Sequence, residues 1–280
     1  MELEILEITA VYAVLIPGTV TAVALLLLPQ RLAPLAIVLG YWAGYYGIQG
    51  WPPFPPVEST QWLPWMVVGM TALCVAHISN SPNTRWHWLL AFLILSVTSY
   101  ILLLPAFKYS WGLAEGLGRL SFIVAAGLLF WAGLLFKPGR VQPSAPAALL
   151  LTVAGGAAVI AGVSGSVILS QLAAVQAATL GAGFLIALWR GKPVLEYSGL
   201  LHLVILSGLL VSGWYFVEVP VYSFVPLIAA PWLALSISKR VPEVWPVWAY
   251  LLIVMIVSLA AVSLACYIAV TASPPLDFEY

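Results

Sequence analysis

The sequence predicts an all-α fold, a polytopic bundle of about ten transmembrane helices with short loops and no soluble domain. Three observations lead there. Hydrophobic residues fill 63% of the 280 positions and charged residues 7%, against about 25% charged in an ordinary soluble domain, so no water-facing shell can be assembled. Apolar runs recur from residue 8 to residue 272, and a hydrocarbon core of about 30 Å needs roughly 20 helical residues. The runs are solidly apolar and lack the alternation of barrel strands.

The first segment, 8–28, follows MELEILEITA, which has glutamates and no base. A secretory signal begins with a positive region, so this segment is expected to remain as a span. Its Pro17-Gly18 pair falls mid-span. The second segment, 34–49, starts after PQRLAP, where prolines suit a turn or a first helical position.

Between the second segment and the third, 62–80, lies GWPPFPPVESTQWLPW, residues 50–65. Its prolines favour a stiff extended path along the headgroups. Trp51, Trp62 and Trp65 would sit where interfacial aromatics gather. The same base-free surface is a candidate contact for another membrane protein subunit.

His77 and His87 flank the link to the fourth segment, 86–105, and read as interfacial beside Arg85, Trp86 and Trp88. KYSWGLAEGLGR, residues 108–119, leads into the fifth, 117–136. Glu115 and Arg119 stand at i,i+4 in the favourable order. With Lys108 they form a candidate contact for an anion or a partner's charge.

Segments 145–163 and 166–189 form a hairpin. At about 100° per residue, Ser170, Ala173, Ala174, Ala177, Ala178 and Gly181 line one face, flanked by Gln171 and Gln176. Small residues admit close backbone approach, and amides can bond across helices. The facing helix is expected to be 145–163, through its GGAA at 155–158 and Ala161-Gly162.

GVSG, 162–165, with His202 downstream, raises the question of a serine nucleophile and base. Ser164 lies at one end of the hairpin and His202 near the other face, roughly 20 Å away along a helix, whereas the pair needs about 3 Å. The stretch is read as a turn. In the eighth segment, 196–217, His202 shares a face with Ser198, and an ionisable group within a span is a functional candidate. The ninth, 221–238, carries Pro226 and Pro231, which free carbonyls and kink helices; the tenth is 246–272.

Basic residues in short loops stay cytoplasmic. Arg31, Arg85, Lys137, Arg140, Arg190, Lys192, Lys239 and Arg240 follow odd-numbered segments, and only Lys108 and Arg119 follow an even one. Ten spans then put both termini on the non-cytoplasmic side of the cell (inner or plasma) membrane. Residues 1–280 form one integral membrane domain. Halves of five spans, 1–140 and 141–280, would be inverted if duplicated, with Pro17-Gly18 and Gly155-Gly156 at matching places.

Zero net charge and the absence of a basic tract give no reason to expect nucleic acid or anionic headgroups as partners. Cys74 and Cys266 sit in apolar runs without ligand spacing. No paired-carboxylate or multi-histidine pattern suggests catalysis, a metal or a cofactor. Two functions fit: a small permease for a neutral or weakly polar solute, contacted by Gln171, Gln176 and His202, or a non-catalytic accessory or scaffold subunit docking through aromatic outer loops.

Overall fold

The computed structural model describes residues 7, 9–78, 84–135, 142, 144–192, 198–238, 240 and 246–272. Both chain ends, Lys137, Arg140, Glu196 and Lys239 lie outside them, as do the side chains of His77, Arg85, Trp86 and His87.

Among the described residues the regular structure is all helical, without strands. The long helices are α1 (Thr9–Leu27), α2 (Ala33–Gln49), α3 (Ser59–Ile78), α4 (Thr84–Leu102), α5 (Leu113–Leu135), α6 (Ala145–Val163), α7 (Val167–Arg190), α8 (Gly199–Phe216), α9 (Phe224–Ser238) and α10 (Val247–Ala272). Six of them, α1, α5, α6, α7, α8 and α10, are long and apolar enough to cross a bilayer. Trp88–Leu102 and Val221–Ile237 are apolar but shorter. Large apolar side chains such as Leu27, Leu185, Leu259 and Tyr267 point outward, the arrangement of a protein solvated by lipid.

Proline sets several boundaries. α1 opens as a π-helical stretch, Thr9–Leu15, and turns α-helical at Ile16, so the hydrogen-bonding pattern changes beside Pro17, which brings no N–H. α6 runs unbroken through Gly155-Gly156. The fourth segment, expected to reach residue 105, stops at Leu102, and a short helix follows at Leu104–Tyr109. Pro105 explains the break, because it cannot donate to the preceding turn and disfavours helix at residue 104. In α9, Pro226 falls in the first turn, where no partner is lost, and Pro231 is interior.

α8 is the central helix. It packs on α3, α4, α5, α6 and α7, and its residues from Leu200 to Leu206 are buried without interruption. α7 packs on α6 and on α1 and α2, while α10 packs on α6 and α9.

Close approach is carried by glycines that the apolar pattern hides. A Cβ on Gly40 would stand 2.8 Å from the Pro17 carbonyl, and one on Gly44 2.7 Å from a Val175 methyl. GYWAG, 40–44, is therefore a small-xxx-small seam where α2 meets α1 and α7. The Ala-rich face of α7 is shared: Ser170 lies against Gly162 of α6, but Ala178 meets Gly18 of α1. Gly156, expected to face α7, seats Val262 of α10 instead.

Candidate functional site

The buried polar groups converge where α7 meets α8. Gln176 Nε2 donates to the His202 carbonyl oxygen at 2.8 Å, and the Thr179 hydroxyl donates to the Gln176 carbonyl at 2.8 Å. Gln176 and His202 are fully buried. Gln176 Oε1 and both ring nitrogens of His202 have no hydrogen-bond partner. The His202 backbone N–H donates to the Ser198 carbonyl at 3.1 Å, but with both ring nitrogens unpaired the expected side-chain bond from His202 to Ser198 is not formed.

The contact also relates the ends of the two helices. Gln176 precedes Arg190 at the end of α7 by about 21 Å of helix at 1.5 Å per residue. His202 nevertheless lies beside it, although it belongs to the first turn of α8. α8 therefore begins roughly 15 Å inside the end of α7. His202 is thus level with the middle of α7, although Trp131, which Gly199 meets, stands only about one turn from the end of α5; α7 overhangs, and α8 starts near the ends of its other neighbours. Ser198, at the N-terminus of α8, is wholly buried, and Gly199 abuts the Trp131 ring of α5.

Gln171 belongs to a separate arrangement. Its Nε2 donates to Thr9 Oγ1 of α1 at 2.9 Å. The three residues expected to act together are thus divided: Gln176 with His202, and Gln171 with Thr9. The cause is angular, since five residues turn a helix by about 140° from its starting direction.

Ser164 and His202 are not paired, because Ser164 Oγ and the His202 ring nitrogens all lack partners. Ser164 terminates α6. Among the described residues no three His, Cys, Asp or Glu side chains converge.

Arg119 binds Glu115 at 2.6 Å, both side chains being partly exposed. Its guanidinium also stands 4.7 Å from the Trp111 ring centre and 5.6 Å from that of Trp214. Tyr215 packs edge-on to Trp111 at 5.1 Å and donates its hydroxyl to Ser110. Arg119 is therefore held in an aromatic clamp between α5 and the end of α8. Lys108 sits in the last turn of the short helix, exposed.

The Pro/Trp stretch folds back on itself and does not run extended along the surface. Gln61 Oε1 accepts the Val57 and Glu58 N–H groups at 2.9 and 3.1 Å, the reach-back of a capping box at the start of α3. Trp65 Nε1 donates to the Pro53 carbonyl. Trp42 of α2 is the hub, with Trp51 at 5.3 Å and Trp65 at 5.4 Å, and its own N–H bonds the Pro64 carbonyl. Trp62 is partly buried against the core. Aromatic side chains remain outward at Trp51 and Phe54.

Sequence reasoning missed Trp42, the Trp111–Trp214 clamp and Tyr41, whose buried hydroxyl is also unpaired. The last had a legible signal, a tyrosine beside the GYWAG seam. Pairings across helices leave no trace in one-dimensional spacing.

No protein-family model, curated protein or solved structure matches the chain.

Proposed function

We propose that the chain is a ten-span permease of the cell membrane for a small neutral or weakly polar solute. Both termini would lie on the non-cytoplasmic side, and the protein would carry no catalytic chemistry. One observation carries this reading: Gln176 Oε1 and the two His202 nitrogens are buried and unpaired, on two residues joined through the His202 backbone carbonyl.

Each unsatisfied buried polar atom costs about 1–3 kcal/mol, so three together are expensive in a resting structure. They become favourable when a solute brings the missing donors and acceptors. No Lys, Arg, Asp or Glu lies in α7 between Val167 and Trp189 or in α8, so a net charge on the solute would go uncompensated there. A neutral solute follows.

α8 is the element that would move. An apolar cavity of about 80 Å³ lies along it, lined by Leu203, Leu206 and Ser207 with Phe122 of α5 and Val225 of α9. That void leaves one face of α8 room to shift, which would open the Gln176–His202 pair to one side of the membrane.

Proteoliposome uptake tests the reading. A panel of small neutral solutes should contain one whose flux is saturable and falls at least tenfold in both Gln176→Leu and His202→Leu. Equal fluxes in wild type and both variants for every solute would defeat the proposal.

A second reading has its own observation. Trp51, Phe54 and Val57 are 68%, 77% and 84% exposed on one loop, which suits docking by an accessory subunit. Under that reading the chain co-purifies with a fixed membrane partner in mild detergent and loses it in a Trp51→Ala, Phe54→Ala double variant.

A further inference from the structure

A second cavity, of about 670 Å³, lies where α1 ends, α2 begins and α7 ends. The size falls within the roughly 300–1,000 Å³ of ligand pockets. Its walls divide by chemistry: Leu25, Leu27, Leu28 and Ile186 form an apolar side, and Arg190 and Lys192 a cationic one. Among the described residues no Asp or Glu lines it. Two positive charges therefore share one space without an acid.

The turn after α7 brings these cations together. Gly191 holds a φ of 62°, the left-handed conformation in which glycine commonly ends a helix, and Lys192 follows it onto the cavity wall. Arg190 donates to the Leu25 and Leu26 carbonyls, which fixes its guanidinium against α1 and offsets the negative end of that helix's dipole. A guanidinium has five N–H groups, so three remain beyond these two bonds. Lys192 is exposed and has no carboxylate in ion-pair range among the described residues.

Depth supplies an independent observation. α1 and α7 are each long and apolar enough to cross a bilayer, and the cavity lies at the end they share. Leu27 and Trp189 are 79% and 74% exposed there, an outward leucine beside a tryptophan of the kind that gathers at headgroup level. The cavity thus has apolar surface continuous with the lipid-facing side and cations at the level of the headgroups. That is the division within a phospholipid. Two bases are no basic tract, so headgroup binding is not expected from charge along the chain; it is the acid-free, half-apolar cavity around them that points to one.

We propose that this cavity seats the headgroup of an anionic phospholipid. The phosphodiester oxygens accept from the Lys192 ammonium and the remaining Arg190 N–H groups, and the acyl chains follow Leu27 and Leu28 into the bilayer. The apolar walls select a lipid over free phosphate, which would leave them facing water. The missing acid selects an anionic headgroup over a choline one, whose own cation would meet two more. A lipid held there ties α1 to α7 whether or not the chain carries a solute, so the site stands apart from the permease reading.

The test uses the full chain in a neutral detergent and follows its unfolding midpoint, which rises with any ligand of the folded state. The probes are phosphatidylglycerol, phosphatidylcholine with the same acyl chains, and inorganic phosphate at the same concentrations. Phosphatidylglycerol should raise the midpoint saturably and bind at least about tenfold more tightly than phosphatidylcholine; inorganic phosphate should leave the midpoint in place. Lys192→Gln should weaken phosphatidylglycerol about fivefold, the effect of one basic residue beside anionic lipid. Its lipid-free midpoint should match wild type, because the side chain is exposed. Lys108→Gln removes the same charge from the short helix Leu104–Tyr109 and should leave the affinity unchanged.

Equal binding of the two lipids overturns the assignment. So does a midpoint raised as far by inorganic phosphate as by phosphatidylglycerol, which would make the cavity a plain anion site. Equal losses in Lys192→Gln and Lys108→Gln, or no loss in Lys192→Gln, would reduce the effect to surface charge and overturn it as well.

Discussion

The side-chain amide of Gln176 donates 2.8 Å to the backbone carbonyl of His202, joining the middle of α7 to the first turn of α8. The bond uses the amide's donor end and the histidine's main chain. The amide oxygen and the imidazole are left unsatisfied. The contact therefore fixes the two helices in register while keeping three polar atoms in reserve.

Replacing the imidazole separates structural need from functional need. His202→Leu removes two unpaired nitrogens and keeps the backbone carbonyl that Gln176 binds. The apo protein should gain about 1–3 kcal/mol, read as a raised unfolding midpoint in detergent, while solute flux falls. A lowered midpoint would mean that the ring makes a stabilising hydrogen bond after all.

Two glycines should respond oppositely to the same change. A Cβ on Gly40 would lie 2.8 Å from the Pro17 carbonyl, a main-chain atom that can move only with α1. Gly40→Ala is expected to cost about 1–3 kcal/mol by overpacking. A methyl added at Gly155 would meet nothing within 4 Å, so Gly155→Ala should be neutral or gain up to about 1 kcal/mol from helix propensity. Thermal unfolding of the pair provides the comparison; matching losses would contradict the α1–α2 seam.

Much of the bundle is legible because its signal is one-dimensional. Composition and run length identify the all-α membrane class, and each expected segment has a helix at or near its place. What escapes depends on events between segments. Pro105 is visible, yet its apolar neighbours LLLP and AF keep the fourth run looking continuous. That the end of α7 overhangs the start of α8 cannot be read from VLEYSGLLH, which shows only a polar stretch before an apolar one. Gln171 and Gln176 are recognisable as polar flanks of a small-residue face, but which neighbour each meets depends on α1 lying on one side of α7 and α8 on the other.

Arg190 offers a test of how α1 is held. Its Nη1 and Nη2 donate to the Leu25 and Leu26 carbonyls at 3.0 and 3.1 Å, capping the last turn of α1 from the end of α7. Helix C-termini leave four carbonyls without partners and favour a cation there. Arg190→Ala should lower stability by about 1–3 kcal/mol. Arg190→Lys should recover no more than about half, since one ammonium cannot reproduce a planar fork. Unfolding midpoints ordered wild type, Lys, Ala are expected; an Ala variant as stable as wild type would remove the cap from the account.

Solvent access to Gln176 bears most directly on the permease reading. In a background with Cys74 and Cys266 replaced by alanine, Gln176→Cys is treated in membrane vesicles with a small, membrane-impermeant thiol reagent, beside Lys192→Cys as the exposed control. A permease that opens around α8 should label at residue 176 more slowly than the control but to completion, and a transported solute should slow the reaction. Full labelling of the control with none at residue 176, under every condition in which the wild-type protein takes up solute, would contradict the path through Gln176 and His202.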